Sequence, residues 1–275
     1  YQIGMQLGDI QYAMTNACRY VISSFLAGRN LEELAREMKV FGEQMIEYNQ
    51  LSIHDMMLPI TQAVSSLMSL TYDSSLLDRQ ATEQKESLEQ RLREKRMLAA
   101  NDTFIFGGIV SYMFNKYETA AEMVENRKEM EKSMSRTSIL YGSTDFYDGL
   151  IFLAMARASD DPKWRIGASK AISKLTEFVN NGNPNCENKL LLLQAEFESI
   201  WGETKDALLK YELSIIAADE HEFIHEHAIA NERLADSLLK NGDSRASNLY
   251  GKAHKLYLQW GATCKCSHLC ASIPF

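Results

Sequence analysis

Two stretches in the last third of the chain decide the fold. The first reads NKLLLLQAEFESIWGETKDALLKYELS (Asn188–Ser214), and the second reads AIANERLADSLLKNGDSRASNLYGKAHKL (Ala228–Leu256). In each stretch an apolar helix ends at a glycine, Gly202 or Gly242. A second helix then carries an alanine, a tyrosine four positions later, and another small residue. These residues are Ala207, Tyr211 and Ser214 in the first stretch, and Ala246, Tyr250 and Ala253 in the second.

This arrangement predicts pairs of closely packed antiparallel helices. The small residues allow the two helices to approach, and the tyrosine fills the gap between them, as in tetratricopeptide-like repeats. One pair cannot bury its apolar face alone, so pairs stack into a superhelix whose concave face binds other molecules. We therefore predict an all-α fold, a right-handed superhelix of about 12 helices stacked as antiparallel hairpins. It forms a single domain over residues 1–275, with the most regular repeats in residues 184–262.

Composition agrees with a helical fold and excludes several classes of function. Only 4 of 275 residues are proline, 45% are hydrophobic, and the net charge is −8 with no basic tract, which argues against nucleic-acid binding. The longest apolar run, Leu150–Ala156, has seven residues and is too short to span a membrane. Five scattered cysteines indicate a reducing compartment, so we expect a cytoplasmic protein. The chain starts at Tyr1 without a signal segment, and we expect it to be a fragment of a longer polypeptide.

The stretch His221-Glu222-Phe223-Ile224-His225 matches the H-E-x-x-H pattern of zinc peptidases. On one helix the two histidines would share a face and Glu222 could act as a base. The nearest carboxylate for a third ligand, Glu232, would lie about 16 Å along the axis from His221, which is too far. The same stretch falls where the repeat requires a turn and a new helix. The repeat interpretation is therefore preferred, with a zinc peptidase kept as the least favoured alternative.

A second cysteine-rich pattern lies near the C-terminus. Cys264, Cys266 and Cys270, together with His268, could bind a soft metal. The spacing lacks the two C-x2-C pairs that structural zinc sites usually contain. Packing as small hydrophobic residues is the favoured interpretation, so we predict no metal and no cofactor.

The most polar tract, Asp78–Lys95, mixes both signs of charge at helical spacing, with Leu88 and Leu92 on one side. Such a pattern is typical of a solvated surface helix with a thin apolar stripe. A helix that docks onto a partner is the alternative.

The repeat register identifies candidate partner-binding residues. If the first helix of each pair lines the groove, then the register set at Ala195 and Ala235 places several polar side chains there. These groove-facing candidates are Tyr112, Lys189, Glu196, Glu232 and Asp236. Substituting Glu196 and Glu232 together is then expected to weaken a peptide partner without unfolding the domain.

Several segments resemble the helical-repeat region of large multidomain signalling proteins, in which an AAA-type ATPase precedes the repeats and a GAF domain and a histidine kinase follow. The most specific segment is the YxxWGAxxK ending, Tyr257–Lys265. The other matching segments are Tyr1–Ala13, Phe25–Leu34, Phe146–Ala158, Pro184–Glu196 and Phe223–Ala235. Cys186 departs from the family, which usually has an aromatic residue there. The resemblance implies a regulatory segment with no catalytic residues.

Repeat physics and this resemblance together predict a non-catalytic module for protein interaction and signal coupling. It would link an ATPase switch to an output domain, and its partner would be a protein or peptide in the concave groove or a neighbouring domain of the same chain. The alternative is a helical-repeat domain that senses a small molecule. A thermal-shift screen separates the two, because a specific ligand at 100 times its Kd stabilises a protein by roughly 2.7 kcal/mol.

Overall fold

A computed structural model describes residues 1–69, 85–133, 140 and 142–273, and within these ranges the chain forms helices and no strands. The polar residues 78–84 and the terminal Pro274 lie outside the described residues. The helices are α1 (Gln2–Leu7), α2 (Ile10–Leu26), α3 (Leu31–Glu47), α4 (Leu51–Met68), α5 (85–93), α6 (Met97–Met113), α7 (Tyr117–Glu131), α8 (Ser143–Ala158), α9 (Pro162–Asn180), α10 (Glu187–Trp201), α11 (Thr204–Glu220), α12 (Ile224–Lys240), α13 (Arg245–Trp260) and α14 (Thr263–Ser272), with a 3-10 turn at Pro184–Cys186. The prediction of an all-α protein is confirmed.

Local sequence signals set the helix ends. Asn30 caps α3, where its side chain accepts hydrogen bonds from the backbone N–H groups of Glu32 and Glu33. Asp161 caps α9 in the same way, with Pro162 in the first turn. Pro59 lies inside a continuous α4. The sequence predicts a kink or a late start there, and the helix does not start late.

Consecutive helices pair along the chain. The most extensive contacts are those of α6 with α7, α8 with α9, α10 with α11, and α12 with α13. The first helices of these pairs also touch one another in order, α6 to α8, α8 to α10 and α10 to α12. The predicted small residues pack at these contacts: Ala207 and Ser214 are buried, and the Ser214 hydroxyl donates to the backbone carbonyl of Asn188 on α10 at 2.9 Å.

The C-terminal helices pack onto the N-terminal ones. The Thr263 hydroxyl donates to the carbonyl of Met68 at the end of α4 at 2.8 Å, and the rings of Phe25 and Trp260 lie 5.7 Å apart. A single cluster of buried apolar side chains therefore runs from α2 to α14. Within the described residues, the helices are all too short or too polar to cross a bilayer.

One surface-helix expectation is wrong in part. The Arg91 side chain on α5, within the tract predicted to be solvated, is 2% exposed. Its Nη2 lies 3.1 Å from the Asp55 carboxylate on α4, and its Nη1 donates to the Thr103 hydroxyl on α6. A guanidinium with such partners can be buried on a helix that otherwise looks polar.

Candidate functional site: a charged cleft between the inner helices

A cleft of about 440 Å³ opens where three successive helix pairs meet. Its walls come from the C-terminal end of α8, the C-terminal half of α10, the start of α11 and the C-terminal half of α12, with Tyr117 of α7 at one side. Its charged lining residues are Arg157, Glu196, Arg233, Asp236 and Lys240. Its apolar wall includes Ala154, Ala158, Ala207 and Leu239. Three cations and two carboxylates therefore surround one concave space.

Glu196 is a buried carboxylate of the charged lining. Its Oε2 accepts from Arg157 Nη2 at 2.9 Å, and its Oε1 accepts from the Tyr211 hydroxyl at 2.5 Å. Burial acts to raise the pKa of Glu196, but the cations of Arg157 and Arg233 outweigh it, so the pKa lies below its ordinary value. The carboxylate is therefore ionised at neutral pH and serves as a fixed acceptor.

Arg233 connects the cleft to the interior of the protein. Its Nη2 lies 2.7 Å from Asp236 Oδ2 and 3.3 Å from Glu232 Oε1. Glu232 in turn accepts from Lys265 of α14 at 2.8 Å and from the Tyr257 hydroxyl at 2.6 Å. Burial opposes ionisation of Glu232, yet Lys265 and Arg233 hold its pKa at about 2. An unbroken chain of charges thus runs from the cleft to α14.

Lys240 stands at the edge of the cleft, and it differs from the two arginines. Within the residues that the structure describes, its ammonium group is bound by no carboxylate. Desolvation and the nearby charge of Arg157 lower its pKa from the ordinary value. Glu196 and Asp236 attract the ammonium group from a distance but do not pair with it, so it can still bind an incoming anion.

Four of the five predicted groove residues are buried. Tyr112 packs its ring 5.7 Å from that of Tyr117, and Lys189 pairs with the buried Glu226 at 2.8 Å. Glu196 and Glu232 are also buried, and only Asp236, 35% exposed at its side chain, reaches solvent appreciably. Their role in binding a partner stays a prediction.

The structure brings Glu196, Glu232 and Asp236 together around Arg233, whereas Lys189 lies elsewhere. Sequence reasoning missed the cations Arg157, Arg233 and Lys240. Arg233 lies between Glu232 and Asp236 in sequence, and this position could have predicted that it pairs with them. Arg157 offers none, because its partner Glu196 is 39 positions away.

The H-E-x-x-H stretch does not form one helical face. His221 follows the last residue of α11 as its C-cap, Glu222 adopts a left-handed conformation with φ of 59°, and His225 lies in the first turn of α12. His225 is fully buried, and its ring stacks on Trp260 at 5.1 Å. Across the described parts of the chain, no group of three or more His, Cys, Asp or Glu side chains is arranged to hold a metal ion, and this includes the cysteines of α14.

Comparison with known proteins adds no relative. No protein-family model matches the chain, and no significant match is found among curated proteins or solved structures. The resemblance to signalling proteins stays a prediction.

Proposed function

We propose that the chain is a tetratricopeptide-like, right-handed superhelical domain that works as a non-catalytic sensing and coupling module in a cytoplasmic multidomain signalling protein. In this proposal the cleft binds a compact ligand, and binding is passed to neighbouring domains. The cleft itself is the observation that carries the proposal. Its volume of about 440 Å³ falls within the range of about 300–1,000 Å³ that is typical of small-molecule sites.

The position of the cleft supports coupling. Its walls belong to three successive helix pairs, so a bound ligand would contact all of them and favour one relative arrangement. From the cleft, Arg233 leads to Glu232 and on to Lys265, whose ammonium also donates to the carbonyl of Met113 at 2.7 Å. A ligand that draws Arg233 toward itself would therefore change the contacts of α14 and of the end of α6.

The state of the carboxylates favours binding over catalysis. Glu196 and Glu232 both have lowered pKa values, so neither is poised to exchange a proton near neutral pH. Burial of the predicted groove residues also favours a compact ligand over an extended peptide on the inner face.

The test is a thermal-shift screen of metabolites on the wild-type chain and on Ala158→Trp. Ala158 lines the cleft and is exposed, so an indole there fills the space without overpacking the core. We expect at least one compound to stabilise the wild type, by roughly 2.7 kcal/mol at 100 times its Kd, and to lose that effect in the variant. A stabilising compound that acts equally on both proteins would place its site outside the cleft.

One observation favours protein interaction as a second candidate function. The outer helix α11 exposes Leu209, Leu213 and Ile216, which lie four and then three positions apart and so share one face. An exposed apolar row of this kind suits contact with another protein. A flat metabolite screen together with a hit from a peptide or protein library would favour this candidate.

A further inference from the structure

The hydrogen-bond inventory of the cleft points to the chemical class of its ligand. We propose, building on the function above, that the cleft takes a compact organic anion, with a carboxylate or phosphate group held by Arg157 and Lys240 and a small apolar body against the alanine wall. Some polar atoms of the cleft are already paired within the protein, and others remain available to a ligand.

All four carboxylate oxygens that line the cleft already have a hydrogen-bond or ion-pair partner. Glu196 accepts from Arg157 and from the Tyr211 hydroxyl. Asp236 accepts from the Tyr250 hydroxyl through Oδ1 and pairs with Arg233 through Oδ2. A ligand that brought only donors, such as an ammonium or amidinium ion, would have to share these oxygens with the cations and hydroxyls already bound to them.

Some N–H donors of the cleft have no acceptor among the described residues. Arg157 donates through Nη2 to Glu196 and to the Ser199 hydroxyl, while its Nη1 and Nε donate to no group in the described residues. The Arg157 side chain lines the cleft and is 26% exposed, so its guanidinium group is within reach of a ligand there. Lys240 adds three N–H donors with no paired carboxylate in that same part of the structure.

The charge balance agrees with this inventory. Three cations, Arg157, Arg233 and Lys240, face two carboxylates, Glu196 and Asp236, so the lining carries one excess positive charge. Behind them, Glu232 and Lys265 neutralise each other at 2.8 Å. A singly charged anion would therefore compensate the cleft.

The apolar wall of the cleft indicates the chemistry of the part of the ligand outside its anionic group. Ala154, Ala158, Ala207 and Leu239 present methyl and isobutyl groups to the same space. These groups suit a small ring or a short alkyl chain, which gains free energy from leaving water. Inorganic ions would fill the charged end alone and leave this wall uncovered.

The experiment measures binding of four probes by thermal shift and by isothermal titration calorimetry at constant ionic strength. Benzoate and phenyl phosphate carry the two anionic groups, inorganic phosphate lacks the apolar body, and benzamidine is a cation of the same shape as benzoate. We expect benzoate or phenyl phosphate to bind, inorganic phosphate to bind more weakly and benzamidine not to bind. Whichever of the two aromatic anions binds tighter identifies carboxylate or phosphate as the preferred group.

Lys240→Gln is the test variant, and Lys170→Gln is its matched control. Lys170 is an exposed lysine on α9 that takes no part in the cleft. Loss of one charge-assisted hydrogen bond should weaken anion binding about tenfold or more in Lys240→Gln and leave Lys170→Gln unchanged. Arg157→Lys, which keeps the charge beside Glu196 but removes the free guanidinium donors, should weaken binding similarly and provides a second variant.

Three results would overturn the anion assignment: benzamidine binding as well as benzoate, Lys240→Gln and Arg157→Lys both binding anions like the wild type, or no binding of any anion. Failure of this assignment is distinguishable from failure of the proposed function. Suppose that a neutral or cationic compound stabilises the wild type and Lys240→Gln but not Ala158→Trp. The cleft is then a ligand site, and only its assignment to an anion is rejected. If no compound of any charge is sensitive to Ala158→Trp, both proposals are rejected.

Discussion

Removing the Glu232 carboxylate should destabilise the protein strongly. Lys265 is 1% exposed at its side chain, and its ammonium has two partners, Glu232 at 2.8 Å and the carbonyl of Met113 at 2.7 Å. In Glu232→Gln the ammonium stays buried without a counter-ion, and the Tyr257 hydroxyl loses a charged acceptor. Breaking a buried pair in this way costs about 3–5 kcal/mol, a large part of the roughly 5–15 kcal/mol that holds a typical domain folded.

The double-mutant cycle with Lys265→Met isolates the pair itself. Lys265→Met leaves Glu232 with Arg233 at 3.3 Å and with Tyr257, so we expect a smaller loss than in Glu232→Gln. The double variant removes both charges together and should recover about 2 kcal/mol relative to the sum of the two single losses. Urea denaturation followed by circular dichroism at 222 nm measures all four proteins, with the far-ultraviolet signal as the measure of helix content.

Glu203→Gln is the matched control for this cycle. Glu203 is exposed, and its side chain makes no capping hydrogen bond at the start of α11, so the substitution should change stability by less than about 0.5 kcal/mol. If Glu232→Gln were as mild as Glu203→Gln, or if the two single losses simply added, the buried-pair reasoning would be refuted. The sequence alone predicts that replacing Glu196 and Glu232 together spares the fold, and the structure leads us to expect the opposite.

Two further predictions concern the contact between the N-terminal helices and α12. Burial lowers the pKa of His225 from 6.5 to about 4, although the nearby Glu226 carboxylate opposes this shift. The stability contributed by the neutral imidazole is therefore fully present above about pH 6.5 and declines as the pH falls towards 4. Between pH 8 and pH 5 the wild type should lose about 2 kcal/mol more than His225→Phe, and parallel denaturation profiles would contradict this. Gly28 has a φ of 79°, and a Cβ there would lie 2.7 Å from His225 Nδ1, whereas Gly182 has a φ of 81° and open space around it. In the same urea assay, Gly28→Ala should therefore lower the free energy of unfolding by about 1 kcal/mol or more beyond the loss in Gly182→Ala. Equal losses would show that His225 moves away from the added methyl group at no cost in free energy.

The sequence determined those features that depend on neighbouring residues. Gly28 and Asn30 mark the end of one helix and the start of the next, because a left-handed glycine and a side-chain cap act within a single turn. The small residues of α11 and α13 likewise predicted which faces are buried. Ala207 and Ala253 pack there, since close helix approach admits only short side chains.

Only the tertiary structure decided how the charged side chains are used. Glu196 reads as a groove residue in the repeat register, yet it is buried, because Arg157 from another helix pair neutralises it. Arg91 reads as a solvated surface residue, yet it is buried against Asp55, 36 positions away. Helical periodicity reports which face a residue occupies but not which distant charge meets it. Those long-range pairs also decide the chemistry of the cleft, because they leave Lys240 and the Nη1 and Nε groups of Arg157 without a hydrogen-bond partner among the described residues.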